Sequence, residues 1–222
     1  MGGPKFITFT GADDRTDVGR MVSLGKRYPI EWGILFSPKR QGLDVRYPCG
    51  NKLSAFWWAD LRRSAHLCGE HARRIVAGDD PDVPVDLSYC DRIQINHRAP
   101  LPAPVSRFAR DWGVRRAIIQ CRAAFPAHSG GVDLLYDCSG GRGAVPSSWP
   151  FHPGYFVGYA GGIGPANVLD VIESIRPNGP YWLDMESGVR TDDWFDLDKV
   201  EAVCRAVYAT PSTLMAREEN GR

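Results

Sequence analysis

Residues 155–165 read Tyr-Phe-Val-Gly-Tyr-Ala-Gly-Gly-Ile-Gly-Pro, an apolar run that passes into a glycine-rich turn and then a proline. The run Tyr155–Tyr159 is short and apolar, which is typical of a buried strand. Pro165 suits the first turn of a following helix, because no helical hydrogen bond requires its missing N–H there. Four apolar residues then share one helical face: Val168, Val171, Ile172 and Ile175. The stretch therefore predicts a strand, a tight turn and a helix.

The same unit recurs along the chain. Eight strand-like runs lie at Lys5–Phe9, Glu31–Phe36, Ser64–Leu67, Arg92–Ile95, Ala117–Gln120, Leu134–Tyr136, Tyr155–Tyr159 and Pro180–Leu183. A second helical face follows the last run, formed by Val200, Val203, Cys204 and Val207. Asp13-Asp14 and Asp196 are candidate starts of the first and last helices. Strands that alternate with helices predict a parallel sheet.

The runs end in polar residues or glycine, and this pattern favours a closed barrel over an open, doubly wound sheet. Active sites of (β/α)₈ barrels are built from the carboxyl ends of the strands. We therefore predict an α/β protein with one (β/α)₈ TIM barrel over residues 1–208 and a frayed tail at 209–222. Residues 123–132 and 146–153 contain prolines and glycines, so the fifth and sixth helical segments are expected to be short. Residues 42–53 are a candidate active-site loop.

Composition excludes several classes of protein. The 222 residues contain 27 Lys and Arg against 26 Asp and Glu, so no strong field favours nucleic acid or an anionic membrane. No apolar run approaches the roughly 20 residues of a membrane span. The N-terminal residues lack a signal-peptide pattern, which leads us to expect a cytoplasmic protein. The six cysteines are scattered without a Cys-x-x-Cys pair, so reduced thiols and no metal cluster are expected.

Two glycine-containing turns predict a phosphate site. Gly161 and Gly162 follow the seventh run, and Ser187 and Gly188 follow the eighth. Glycine lets backbone N–H groups approach an anion closely. Barrels often hold phosphate in the loops after strands seven and eight. We therefore expect a phosphorylated small molecule as the ligand.

The order of these motifs resembles the phosphoribosylanthranilate isomerase family. Ala160-Gly161-Gly162-Ile163 is similar to the family's Ala-Gly-Gly-Leu, and 184–190, Asp-Met-Glu-Ser-Gly-Val-Arg, to its Asp-Val-Ser-Ser-Gly-Val-Glu. Residues 36–40, Phe-Ser-Pro-Lys-Arg, are similar to its Phe-x-x-Ser-Pro-Arg. Gln94-Ile95 matches the start of the family's Gln-Leu-His-Gly. The family's first strand ends in Cys-Gly, where this chain has Thr10-Gly11.

The resemblance implies a (β/α)₈ barrel and a cofactor-independent rearrangement of an aldose to a ketose. It assigns the general acid to Asp137 and substrate binding to Gln94 and to Lys39 or Arg40. The family base is the cysteine in whose place Thr10 stands, and a lone hydroxyl is too weak a base. Other candidate bases are Asp13, Cys138 and His66. Asp137 could instead cap the loop 139–143, and Asp13 could cap the first helix.

Three functions remain open from the sequence. The first is a sugar-phosphate isomerase that acts on a phosphoribosyl compound. The second is a catalytically silent barrel that binds a phosphorylated metabolite or nucleotide, favoured by the missing cysteine. The third is a metal enzyme using residues such as His66, His97 or Asp184, although His97 should face the helices if Gln94 faces inward. The sequence does not identify a protein partner.

Overall fold

Eight parallel strands close into a barrel in which each strand pairs with the next along the chain and the eighth pairs with the first. The computed structural model describes residues 2–140 and 142–208. The strands are β1 (Ile7–Thr10), β2 (Ile30–Phe36), β3 (Arg63–Cys68), β4 (Arg92–Asn96), β5 (Arg116–Cys121), β6 (Asp133–Tyr136), β7 (Val157–Ala160) and β8 (Tyr181–Met185). The prediction of a closed barrel is confirmed, and each predicted run ends within two residues of the observed strand end.

Within the described residues six helices follow the strands, and two connections between strands have no helix. The helices are α1 (Val18–Arg27), α2 (Gly50–Trp58), α3 (Glu70–Ala77), α4 (Pro102–Asp111), α5 (Val168–Ile175) and α6 (Leu197–Tyr208). The described residues between β5 and β6, and between β6 and β7, contain no helix. The prolines and glycines there disfavour helix, so the predicted shortening is confirmed. The candidate loop 42–53 is shorter than predicted, because α2 begins at Gly50.

Helix starts agree with the prediction at one of three places. Asp196 caps α6, since its carboxylate accepts hydrogen bonds from the backbone N–H groups of residues 198 and 199. The cap of α1 is Asp17 rather than Asp13-Asp14. Asp13 is bound instead by Arg190 and by the backbone N–H of Phe195, which keep it in the loop. Pro165 precedes the first turn of α5, whose cap residue is Asn167.

The apolar residues form two layers. Residues that point outward from the strands pack against the helices and form the larger core. Residues that point inward form a small cluster of Phe6, Ile118, Leu135, Ala160 and Trp182. Strand side chains alternate between faces, so each strand contributes to both layers.

The hairpin between β8 and α6 was not predicted. It consists of β9 (Arg190–Thr191) and β10 (Trp194–Phe195), which pair antiparallel. Left-handed backbone at Asp192 and Asp193, with φ of 50° and 61°, forms its turn. The predicted frayed tail, 209–222, lies outside the described residues. No helix in the described part of the chain is long and apolar enough to cross a bilayer.

Candidate functional site

A cleft of about 500 Å³ opens at the carboxyl end of the barrel. All eight strands contribute residues at or just beyond their carboxyl ends to its lining. This follows from the parallel arrangement, which brings every strand end to the same rim. Its volume is in the range of small-molecule sites, about 300–1,000 Å³.

The two glycine turns meet on one side of this cleft. Gly161 and Gly162 have φ of 121° and 61°, which L side chains rarely adopt. A Cβ atom on Gly164 would lie 2.9 Å from the carbonyl oxygen of Gly188, so the loops after β7 and β8 are in contact. Asn167 fixes the first loop by accepting from the Gly164 N–H at 2.8 Å and donating to the Gly162 carbonyl at 3.0 Å. Of the four residues predicted to bind phosphate, Gly161, Gly162 and Ser187 line the cleft, whereas Gly188 packs against Gly164 and does not line it.

The second glycine turn leads into a different element from the first. Ser187–Val189 forms a short 3₁₀ turn that continues into the β9–β10 hairpin. The last helix, α6, begins only after this hairpin. The Ser187-Gly188 turn is therefore not the start of a long helix, unlike the turn after β7.

Asp137 lies on the cleft wall one residue beyond β6 and is buried. Its Oδ1 atom accepts hydrogen bonds from the backbone N–H of Ser139 at 3.0 Å and from the Ser139 hydroxyl at 2.7 Å. Its Oδ2 atom accepts from the Gln120 amide at 3.4 Å. The carboxylate is therefore held in one orientation, and it also caps its own loop, as the alternative interpretation predicted.

Thr10 and Asp184 form a pair on the floor of the cleft. The hydroxyl of Thr10 donates to Oδ1 of Asp184 at 2.9 Å, and both side chains are buried. Burial raises the pKa of the Asp184 carboxyl to about 8, although the hydrogen bond from Thr10 acts to lower it. Sequence reasoning did not assign an acid or base role to Asp184; the available signal was its place as the last inward-facing residue of β8.

His66 lies close to this pair in the barrel interior. Gly33 lies between His66 and Thr10, where a Cβ atom would clash with Thr10 Oγ1 and lie 3.0 Å from His66 Nε2. Burial lowers the pKa of His66 to about 3, so its ring is neutral and a poor base. Within the described residues, His66 Nε2, Gln94 Oε1 and Asp184 Oδ2 are buried and have no hydrogen-bond partner. The cleft floor thus carries polar atoms whose hydrogen bonding is incomplete.

Gln94 and Asn96 share the inner face of β4, as the alternation of the strand requires. The Gln94 amide donates to the Asn96 side-chain oxygen at 2.9 Å. His97 also lines the cleft, so the expectation that it faces the helices is wrong. It lies beyond the end of β4, where the alternation of strand side chains no longer applies.

Arginines line the outer part of the cleft. Arg40 contacts it while pairing with Asp44 at 3.3 Å and donating to the Tyr47 hydroxyl at 3.2 Å. Arg46 reaches across to the loop after β8 and pairs with Glu186 at 2.7 Å. Lys39 is exposed and does not line the cleft. Of the two predicted carboxylate-binding residues, only Arg40 has a suitable position.

Two of the three substitute bases lie elsewhere. Asp13 is fully buried outside the cleft, where Arg190 Nη2 at 3.0 Å and the Phe195 N–H at 2.6 Å donate to its Oδ2 atom. It therefore binds the β9–β10 hairpin to the loop after β1 and is not available to a ligand. Cys138 packs against the outer core. In the part of the chain that the structure describes, no three His, Cys, Asp or Glu side chains are grouped so as to hold a metal ion.

Comparison with solved structures finds the same architecture in phosphoribosylanthranilate isomerases. TrpF from Jonesia denitrificans has a TM-score of 0.63 at 17% identity, over 91% of this chain and 96% of that one. N-(5'-phosphoribosyl)anthranilate isomerase from Pyrococcus furiosus has a TM-score of 0.57 at 15% identity, over 92% and 99%. A phosphoribosyl anthranilate isomerase in complex with reduced 1-(o-carboxyphenylamino)-1-deoxyribulose 5-phosphate has a TM-score of 0.61 at 14% identity, over 93% and 100%.

No protein-family model and no curated protein matches the sequence. At these identities, similarity of structure establishes the fold and leaves the activity to be argued from the site. The chain shares the (β/α)₈ barrel of the phosphoribosylanthranilate isomerases.

Proposed function

We propose that this chain is a cofactor-independent isomerase that converts a phosphoribosyl aldose derivative to the corresponding ketose. The observation that carries the proposal is the meeting, in one cleft, of Gly161, Gly162 and Ser187 from the two glycine turns with the carboxyl groups of Asp137 and Asp184. Backbone N–H groups at glycine turns suit a phosphate, and two carboxyl groups suit proton transfer. The solved complex of a structural neighbour with a deoxyribulose phosphate supports this class of ligand.

In this proposal the turns after β7 and β8 hold the phosphate, and Asp137 protonates the ring oxygen of the sugar. Gln94 and Arg40 contact the remainder of the substrate, Arg40 by pairing with a carboxylate. Loss of the ring C–O bond opens the sugar, and removal of the proton on C2 then permits the shift to a ketose. Asp137 recovers a proton from the C2 hydroxyl, so the reaction needs no external reagent.

Thr10 at the place of the family's cysteine favours a second candidate function, a barrel that binds a phosphorylated metabolite or nucleotide without converting it.

One experiment separates the two candidate functions. Purified protein is incubated with N-(5'-phosphoribosyl)anthranilate, and the ketose product is resolved by chromatography. Binding of the reduced deoxyribulose phosphate analogue is measured by calorimetry in parallel. Conversion supports the isomerase, whereas tight binding without conversion supports the silent barrel. Absence of both would contradict both.

A further inference from the structure

The cleft contains a second carboxyl group on the opposite side of β7 from Asp137. We propose that Asp184 is the general base that removes the proton from C2 of the sugar and that Thr10 is a positioning residue for its carboxylate. The assignment rests on the isomerase function proposed above. In the family the base is a cysteine, and this chain has Thr10 at that place. Asp184 would supply the base that is otherwise absent.

The two carboxyl groups flank the strand that begins the phosphate turn. Ala160 of β7 is in register with Asp184 of β8, and a Cβ atom on Gly161 would lie 4.0 Å from Asp137 Oδ1. A ribose whose phosphate binds at Gly161 and Gly162 therefore has one carboxyl group on each side. This is the arrangement that an acid and a base need to act on one ring.

Thr10 controls the orientation of Asp184. β1 pairs with β8 with Thr8 opposite Asp184, and Thr10 donates from the next inward position of β1. The hydrogen bond occupies one carboxylate oxygen, Oδ1, and so fixes the plane of the group. Asp184 is 6% exposed, and it lines the cleft. In this arrangement the Thr10 hydroxyl does not act as a base itself. That a lone hydroxyl is too weak a base is therefore no obstacle to catalysis.

The electrostatic surroundings favour Asp184 over His66 as the base. The pKa of Asp184 is raised to about 8, mainly by burial; the charges of Glu186 and Glu31 act in the same direction, while Thr10 and Arg92 act to lower it. Other titratable and charged side chains also line the cleft: Arg40, Asp44, Arg46, Tyr47, His66, Cys68, His97, Arg98, Arg122, Asp137, Glu186 and Asp193. A base is most effective when its pKa lies near the working pH. The His66 pKa of about 3 is too low for this role.

The proton movements balance in this assignment. Asp137 gives a proton to the ring oxygen as the bond between that oxygen and C1 breaks, leaving a C1–nitrogen double bond. Asp184 then takes the C2 proton, the electron pair of the C–H bond forms a C1–C2 double bond, and the electron pair of the C1–nitrogen double bond returns to nitrogen. Asp184 returns its proton to C1, while the C2 hydroxyl returns one to Asp137 and becomes the ketone. Both residues end in their starting state.

Three variants test the assignment: Asp184→Asn, Thr10→Val and Thr10→Ser. Conversion of N-(5'-phosphoribosyl)anthranilate is measured against pH, with and without deuterium on C2 of the ribose. Asp184→Asn preserves shape and can still accept from Thr10, so we expect unchanged binding of the reduced analogue and a kcat lower by roughly 10²–10⁴-fold. Thr10→Val removes the hydrogen bond that stabilises the carboxylate, so the ascending limb of kcat/KM should move to higher pH. Thr10→Ser keeps the hydroxyl, so the pH at which kcat/KM rises should stay the same as in the wild type.

The outcomes distinguish this assignment from the proposed function. Wild-type turnover with a primary isotope effect, lost in Asp184→Asn, supports both. Wild-type turnover that Asp184→Asn retains overturns the assignment and leaves the isomerase function intact. A Thr10→Val variant that loses activity without a shift of its pH profile contradicts the role given to Thr10. Failure of the wild type to convert the substrate overturns the proposed function and the assignment with it.

Discussion

The guanidinium of Arg92 lies inside the barrel 2.6 Å from the carboxylate of Glu31, and both side chains are buried. Arg92 also lies 4.3 Å from the ring centre of Trp182 and pairs with Asp133 at 3.5 Å. Glu31, Arg92 and Asp133 stand at or near the amino ends of their strands, on the opposite side of the barrel from the cleft. This end of a barrel serves stability, whereas the carboxyl end carries the chemistry.

We expect Arg92→Met to lower the free energy of unfolding by about 3–5 kcal/mol, because it leaves the Glu31 carboxylate buried without its main partner. Denaturant unfolding followed by circular dichroism measures the loss. Arg205→Ala is the control: it breaks the ion pair with Glu201 on the exposed side of α6 and should have a much smaller effect. Similar losses in the two variants would contradict the role of the interior pair.

Gly162→Ala should weaken binding of the reduced deoxyribulose phosphate analogue. The added Cβ atom would lie 2.7 Å from the Val145 N atom and 2.8 Å from the Gly143 carbonyl oxygen, at a φ of 61°. The loop after β6 would have to move away from the phosphate turn. Calorimetry should show at least about a tenfold rise in Kd, equivalent to about 1.4 kcal/mol. Gly50→Ala, with nothing within 4 Å of the added atom, is the matched control and should bind normally.

Asp137→Asn should reduce kcat for the proposed reaction by roughly 10²–10⁴-fold with little change in analogue binding, because an amide cannot protonate the ring oxygen. Ser139→Ala is the control, since it keeps the carboxyl group and the backbone N–H donor. If Asp137 served only to cap its loop, the two variants would affect binding and stability alike and Asp137→Asn would retain turnover.

Asp13→Asn should destabilise the fold without changing the pH profile of turnover. The carboxylate accepts hydrogen bonds from Arg190 and from the Phe195 N–H, and the variant leaves the buried Arg190 charge without a full partner. A loss of about 3–5 kcal/mol in the free energy of unfolding is expected. Asp14→Asn, next in sequence and exposed, should cost much less. A shifted pH profile in Asp13→Asn would restore Asp13 as a candidate base.

Asp184 should make the protein less stable as the pH rises. Its folded-state pKa of about 8 exceeds the ordinary value of 3.8, so between these values the native state binds more protons than the unfolded state. The free energy of unfolding of the wild type should therefore fall, relative to Asp184→Asn, by up to about 1.4 kcal/mol per pH unit between about pH 5 and pH 8. Urea unfolding of both proteins at several pH values tests this. Parallel curves would show that the carboxyl titrates normally.

Local patterns predicted much of this arrangement. The strand runs, the apolar faces of α5 and α6 and the cap at Asp196 are properties of neighbouring residues, and all three agree with the structure. The predicted cap of α1 was wrong because Asp13 is bound by Arg190, which lies far away in sequence. The predicted orientation of His97 was wrong because alternation ends where β4 ends.

The sequence by itself determined the barrel, the shortening of the fifth and sixth helical segments and the glycine turns after β7 and β8. These depend on periodicity and on the conformational limits of proline and glycine, which act within a few residues. Only the tertiary structure decided that Thr10 donates to Asp184, that Asp13 is withdrawn from the cleft and that His66 is buried as a neutral ring. Those outcomes depend on which strands become neighbours when the barrel closes and on how deeply each side chain is buried. No single segment of the chain determines either of these properties.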